Sequence, residues 1–198
     1  MLALLALFLK VSTMQVTTTA IPDVKVFSPK KFGDHRGFFS EVYNKKAFAE
    51  AGVTMDFIQD NQSLSAEPYT FRGLHYQEPP VCQAKLVRVL TGALLDIVID
   101  LRKGSPTYLK HVMVELTPEA WNQILVPEGF AHGILTLKPD TNVLYKVNNY
   151  YSPQHDRGIS YTDPALNLQL PVPADKLILS DKDKNLPLLK DIANPFTY

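Results

Sequence analysis

Between residues 57 and 151 the chain passes through one short β-prone segment after another, each stopped by glycine, proline or a polar turn. Residues 85–90 and 93–101 are two such runs separated by Thr91-Gly92, which reads as a tight hairpin. Alternation along the second run puts Leu95, Ile97 and Ile99 on one face and Asp96 and Asp100 on the other. Residues 112–116, 123–126, 133–137 and 143–147 continue the series, broken by Pro118, Pro127 and Pro139. Many short antiparallel strands jointed by Pro and Gly point to an all-β sandwich or barrel. The 15 prolines suit that class better than a helical bundle, where each interior proline costs about 3 kcal/mol.

Helical signals are few. Residues 45–51 form the best short helix, with Asn44 as N-cap and Gly52 as the stop, and residues 118–122 after Thr117 predict a single turn. The tail after Pro164 carries Pro171, Pro173 and Pro187 and reads as a loop-rich cover with one short helix near Ser180. No repeat, low-complexity run or charge block interrupts the chain, so residues 14–198 form one domain. Residues 2–9 are almost all apolar but too short to span a bilayer, and no basic residue precedes them as in a secretory signal. Residues 1–13 are therefore either an upstream extension or, less favoured, a signal segment.

Charge and cysteine content exclude several functions. Twenty Lys and Arg balance 20 Asp and Glu, which argues against binding nucleic acid, a task that needs basic excess on one face. A single cysteine, Cys82, rules out a disulfide framework and a Cys-based zinc site. The histidines lack the spacing of a metal site on a β-barrel, so no metal is expected.

His75 has the most telling neighbours, in Arg72-Gly73-Leu74-His75-Tyr76-Gln77. A lone histidine on a strand is ordinarily structural, but strict alternation groups Gly73, His75 and Gln77 on a polar inner face, opposite Arg72, Leu74 and Tyr76. Polar inner faces of small barrels mark ligand cavities. A second cluster, Asp34-His35-Arg36-Gly37-Phe38-Phe39-Ser40-Glu41, reads either as a surface turn with Arg36 paired to Asp34 or as an anion site. Arg36 and Arg72 each adjoin glycine, and two guanidinium forks could hold a diphosphate. Tyr145, between aliphatic neighbours on a strand, could equally be a core tyrosine with a bonded hydroxyl.

Taken in order, these phrases resemble the dTDP-4-dehydrorhamnose 3,5-epimerase family of cupin-like sugar-nucleotide enzymes. The likeness continues through Gln59-Asp60-Asn61-Gln62-Ser63, Gln83-Ala84-Lys85, Pro127-Glu128-Gly129-Phe130-Ala131-His132-Gly133, Tyr150-Tyr151-Ser152-Pro153 and Leu179-Ser180-Asp181-Lys182-Asp183, over about residues 16–190. Family members commonly begin just upstream of a segment like Thr19-Ala20-Ile21-Pro22, which favours Met14 as the start. The resemblance implies a cupin-like jelly-roll β-barrel with short helices, assembled as a cytoplasmic homodimer without cofactor or metal. It implies inversion of C3 and C5 of dTDP-4-keto-6-deoxy-D-glucose, with His75 as base, Asp183 orienting it, Lys85 at the enolate oxygen and Tyr145 as the opposing acid. By the same pattern Arg36 and Arg72 bind diphosphate, and Phe39, Glu41, Gln59, Asp60 and Asn61 contact the nucleotide. His132, Tyr151, Asp156 and Lys182 surround the sugar and phosphates. Cys82, Tyr161 and Leu170 depart from the family's usual residues, none at a chemical position.

Single-site epimerases and ketoisomerases share this fold and several of these motifs. A sugar-nucleotide-binding domain without catalysis is the contrasting reading, against which stands the joint presence of His75, Asp183, Lys85 and Tyr145.

Overall fold

The computed structural model describes residues 14–198, so the apolar segment at residues 2–9 lies outside the described residues. Two antiparallel sheets pack face to face. The first has six strands in the order β1 (Met14–Thr18), β2 (Lys25–Pro29), β10 (Gln123–Val126), β7 (Lys85–Thr91), β12 (Thr141–Val147), β5 (Gln59–Ser65). The second has five, in the order β13 (Asp156–Gly158), β6 (Phe71–Gln77), β11 (Phe130–Thr136), β8 (Leu94–Asp100), β9 (His111–Leu116). This is a cupin-like jelly roll in which, among the described residues, no hydrogen-bonded ladder joins the two sheets into a closed ring. A separate hairpin, β3 (Phe32–Asp34) with β4 (Gly37–Phe39), projects from the body with every residue exposed.

Three apolar layers follow from strand alternation. Between the sheets, Val87, Val89, Ile124 and Val143 of the first meet Leu94, Val98, Val112 and Ile134 of the second. Outside the first sheet, Phe27, Leu86 and Leu125 are covered by Phe48 and Val53, carried by α1 (Lys45–Glu50) and its exit. That helix starts where expected, the Asn44 side chain accepting from the backbone N–H groups of Lys46 and Ala47. Outside the second sheet, Phe71, Leu74, Ile97, Ile99 and Leu135 are roofed by the C-terminal tail, and Cys82, Tyr161 and Leu170 pack against this layer. Each large aliphatic or aromatic side chain so enclosed contributes roughly 1.5–3 kcal/mol. Near the end of the tail, α2 (Asp181–Lys184) begins at Ser180, whose hydroxyl accepts from the Asp183 N–H at 3.1 Å.

The Thr91-Gly92 joint is not a hairpin: β7 and β8 belong to different sheets. β8 is buried on both faces, Leu94 and Val98 packing between the sheets and Ile97 and Ile99 outside, so it sits inside the second sheet rather than extending the first. The joint itself is tied to the start of β12. Thr141 Oγ1 accepts from the Ala93 N–H at 3.3 Å, and the Thr91 hydroxyl donates to the Asp140 carbonyl at 2.9 Å. The segment after Thr117 forms the expected turn, the Thr117 hydroxyl accepting from the Ala120 N–H.

Strict alternation also fails in β6. Its ladder with β11 pairs His75 with His132 and Arg72 with Ile134, leaving one extra residue on β6 between the pairs. That β-bulge turns Arg72 and His75, three residues apart, to the same interior face instead of opposite ones. Glycine is required there: Gly73 has φ +138°, and a Cβ on it would lie 2.6 Å from the Gly133 Cα and 2.9 Å from the His132 carbonyl oxygen.

Candidate active site

A cavity of about 530 Å³ opens between the two sheets, and each sheet supplies a different chemistry to it. From the five-stranded sheet come Arg72 and His75 on β6 and His132 on β11; from the six-stranded sheet come Lys85 on β7 and Tyr145 on β12. An adjoining compartment of about 330 Å³ shares His75, Lys85, Tyr145 and Lys182 with the first and is walled further by Gln59, Asn61, Tyr151 and Asp156. The space thus runs from an interior pocket to a more polar mouth.

His75 is fixed by Asp183 of α2. Its Nε2 lies 2.6 Å from Asp183 Oδ1, and the carboxylate is only 4% exposed. A carboxylate accepts, so it holds the Nε2–H tautomer and leaves Nδ1 with the free lone pair. Burial pushes the Asp183 carboxyl upward, but hydrogen bonds from His75, the Ser180 hydroxyl and the Gly73 backbone N–H outweigh it and hold the group below the ordinary carboxylate range. The bulge therefore turns the base inward and also supplies its carboxylate with a backbone donor.

Across the cavity the Lys85 ammonium makes no hydrogen bond or ion pair among the described residues, although it lines both compartments. Burial lowers its pKa, opposed by the negative charges of Asp96 and Asp156 and assisted by the positive charge of Lys182. A desolvated cation without a protein partner is poised for a developing anion. The Tyr145 hydroxyl is raised above its usual pKa by burial, against a smaller opposite pull from Arg72, so it is a protonated donor at neutral pH. Arg72 spends little of its hydrogen-bonding capacity on the protein: its bonds to Ser65 Oγ are both 3.3 Å long.

The mouth is organised by Asp156, which accepts from Lys182 Nζ at 2.5 Å and from the Tyr151 hydroxyl at 3.0 Å through the same oxygen. Lys182 and Asp183 are adjacent on α2, so one helical turn delivers a cation to the rim and a carboxylate to the base. Gln59 and Asn61, on the inward face of β5, are linked by a 2.7 Å hydrogen bond.

Four residues expected at the site stand elsewhere in this chain. Asp60 alternates to the outer face of β5 and pairs with Lys146 at 2.7 Å. Arg36, in the hairpin turn, pairs with Asp34 at 2.6 Å on the surface; Phe39 is 66% exposed, and Glu41 bonds the Asn44 side chain. None of these four lines either compartment. Conversely, sequence reasoning passed over Asp96, which is fully buried beneath the cavity wall with both oxygens 3.0 Å from His132 Nε2. An acid on a strand with aliphatic neighbours was the available signal.

Known proteins give independent bearings on this geometry. A family model described as dTDP-4-dehydrorhamnose 3,5-epimerase matches residues 18–191. The chain is 46% identical over 185 residues to the dTDP-4-dehydrorhamnose 3,5-epimerase of Sinorhizobium fredii, covering 93% of this chain and 94% of that protein. Among solved structures it is similar to a dTDP-4-dehydrorhamnose 3,5-epimerase from Bacillus anthracis with TDP and PPi bound, at 50% identity and a TM-score of 0.85, covering 89% and 99% of the two chains. A dTDP-6-deoxy-D-glucose-3,5-epimerase from Legionella pneumophila in complex with dTDP-4-keto-L-rhamnose superposes with a TM-score of 0.88 at 39% identity, covering 93% and 98%.

Proposed function

The chain belongs to the dTDP-4-dehydrorhamnose 3,5-epimerase family, and we propose that the cavity between its sheets performs that reaction with His75 and Tyr145 as the proton-transferring pair. The protein is an epimerase that inverts C3 and C5 of dTDP-4-keto-6-deoxy-D-glucose, giving dTDP-4-keto-L-rhamnose. The observation that carries the assignment of roles is the placement of His75 and Tyr145 on opposite sheets with a substrate-sized space between them. Inversion requires removal of a proton from one face of a carbon and its return to the other, which is what facing acid and base accomplish.

C3 and C5 both flank the C4 ketone, so loss of a proton from either produces an enolate whose charge gathers on the C4 oxygen. His75 Nδ1 takes the proton, and the imidazolium that forms stays hydrogen-bonded to Asp183. The Lys85 ammonium, itself desolvated by burial, neutralises the enolate oxygen, and a fixed charge at a buried position counts for most. Tyr145 delivers its hydroxyl proton to the opposite face of the carbon, and solvent at the mouth restores both groups before the second carbon reacts. Arg72 contacts the diphosphate, while Gln59 and Asn61 face the nucleotide. His132, Tyr151, Asp156 and Lys182 enclose the sugar and phosphates.

Arg36, Phe39 and Glu41 belong to an exposed segment that does not line its own chain's cavity, so their part in nucleotide binding is played toward a second copy, and the enzyme works as a homodimer. Phe39, the most exposed aromatic of that arm, with the partly exposed Phe32 and Phe38, supplies apolar surface for such an association. Among the described residues no helix is long and apolar enough to cross a membrane, and the proposed setting is the cytoplasm.

Turnover of the 4-keto sugar nucleotide in deuterated water tests the reading. Deuterium at both C3 and C5 of an inverted product is expected. Label at one carbon only would make this a single-site epimerase, and no label in bound substrate would make it a binding domain.

A further inference from the structure

Asp96 is a buried carboxylate of the second sheet, beside the cavity, that the reaction as described leaves unused, and its strand neighbours are apolar. It is fully buried on β8, opposite Ile134 on one side and Val114 on the other, with Leu94 and Val98 flanking it on the same face. A charge in such a place is costly unless it is paired and hydrogen-bonded. Its hydrogen-bonding partner is His132, whose Nε2 is 3.0 Å from both carboxylate oxygens. His132 in turn lines the cavity as the direct cross-strand neighbour of His75. The two rings are held alike, each with Nε2 on a carboxylate.

We propose that Asp96 is a positioning residue of the epimerase, a carboxylate out of reach of substrate that fixes which nitrogen His132 turns to the cavity and supplies the counter-charge of the Lys85 ammonium. The inference rests on the epimerase reading above. With Nε2–H donated to Asp96, His132 presents Nδ1 as an acceptor for a sugar hydroxyl, where the other tautomer would present a donor. The second effect acts through space. Asp96 is the strongest of the negative charges favouring the Lys85 cation, ahead of Asp156, while Lys182 and burial act against it. His75, His132, Tyr145, Arg72 and Asp183 are the other ionisable groups facing the same cavity. Lys85 serves the reaction only as a cation, so loss of Asp96 moves the alkaline edge of activity to lower pH.

The test is Asp96→Asn, with His132→Asn as the comparison. For Asp96→Asn, kcat is expected to fall at least about tenfold with KM within about threefold, and the alkaline limb of kcat against pH to move down by about one unit. His132→Asn keeps the buried charge, so its activity falls with the alkaline limb left in place. Wild-type kcat in Asp96→Asn, or a loss accompanied by an unmoved limb, overturns the proposal, and so does an equal downward shift in both variants. Should Asp96→Asn not fold, the wild-type enzyme decides by the ¹⁵N resonances of His132: protonated Nε2 with bare Nδ1 supports the proposal, and the reverse tautomer overturns it. Failure of wild-type enzyme to exchange protons at C3 or C5 counts against the epimerase reading instead.

Discussion

Replacing Asp183 with Asn isolates what the carboxylate does for the base, because the two side chains have nearly the same shape and only the charge and one acceptor oxygen are lost. The Asp183 carboxylate is 4% exposed and meets His75 Nε2 at 2.6 Å. A hydrogen bond to a charged group is worth about 1.5–3 kcal/mol, and this one strengthens by an amount of that order when His75 takes the abstracted proton and the pair becomes ionic on both sides. At about 1.4 kcal/mol per decade, that strength corresponds to a kcat lower by roughly 10- to 150-fold. An Asn side chain that turns its amide N–H₂ toward His75 also selects the tautomer with a proton on Nδ1, the atom that must act as base, which extends the loss toward about 10⁴-fold. The carboxylate is already engaged by His75, Ser180 and Gly73, so substrate binding should change little and KM stay within about threefold. Steady-state kinetics with the 4-keto sugar nucleotide and a melting curve on the same preparation read both effects. A kcat within threefold of wild type in a folded variant would refute the reasoning, as would a large rise in KM with kcat intact.

Tyr145→Phe should leave the melting temperature nearly unchanged and allow deuterium wash-in by His75, while product inversion fails, most clearly at C5; normal inversion with lowered stability returns Tyr145 to a packing role. Arg36→Ala and His75→Ala chains, each inactive alone, should regain activity when mixed and allowed to exchange subunits, because one hybrid site then receives an intact base and an intact arm; persistent inactivity in verified mixed dimers refutes cross-subunit supply. Asp100 offers a pH prediction: burial alone would raise its carboxyl, but hydrogen bonds from Arg102, Ser105 and Thr107 hold it at about 2 against 3.8 unfolded. Its contribution is therefore complete above about pH 4 and lost as pH falls through 2, roughly 1–2 kcal/mol once solvent screening near Arg102 is allowed for. In urea unfolding, the stability gap between wild type and Asp100→Asn should narrow by that amount between pH 5 and pH 2, and a gap independent of pH refutes it.

Local signals in the chain transmitted well where short-range chemistry decides the outcome. Asn44 and Gly52 bracket α1, Ser180 starts α2, and the alternation of residues 59–65 separates Gln59 and Asn61 from Asp60 as the pleat requires. What stayed hidden depends on partners distant in sequence. Thr91-Gly92 looks the same whether its flanking strands pair or pass to facing sheets, and the choice rests on Thr141 and on the two-sided burial of β8. Counting by twos through residues 71–77 mis-faced Arg72, because the bulge arises from the close approach of Gly73 to Gly133. Asp96 carries no local mark of its pairing with a histidine 36 residues away. For the active-site chemistry, the family likeness named the roles of His75, Asp183, Lys85 and Tyr145, which residue types alone left undecided.

His75 and the carboxylate that serves it are 108 residues apart, and the later one is borne by the tail that roofs the second sheet. That tail is stitched to the start of β6 and the residues just before it by backbone bonds from the Phe71 N–H to the Ile178 carbonyl at 2.9 Å and from the Ile178 N–H to the Tyr69 carbonyl at 3.0 Å. During synthesis the strands of both sheets leave the ribosome before Asp183 does, so until the tail docks the base lacks its anchor and the cavity lacks one of its walls. Premature termination between residues 165 and 180 would remove Lys182 and Asp183 together and uncover the apolar layer outside the second sheet, so base, rim and roof are lost in one event.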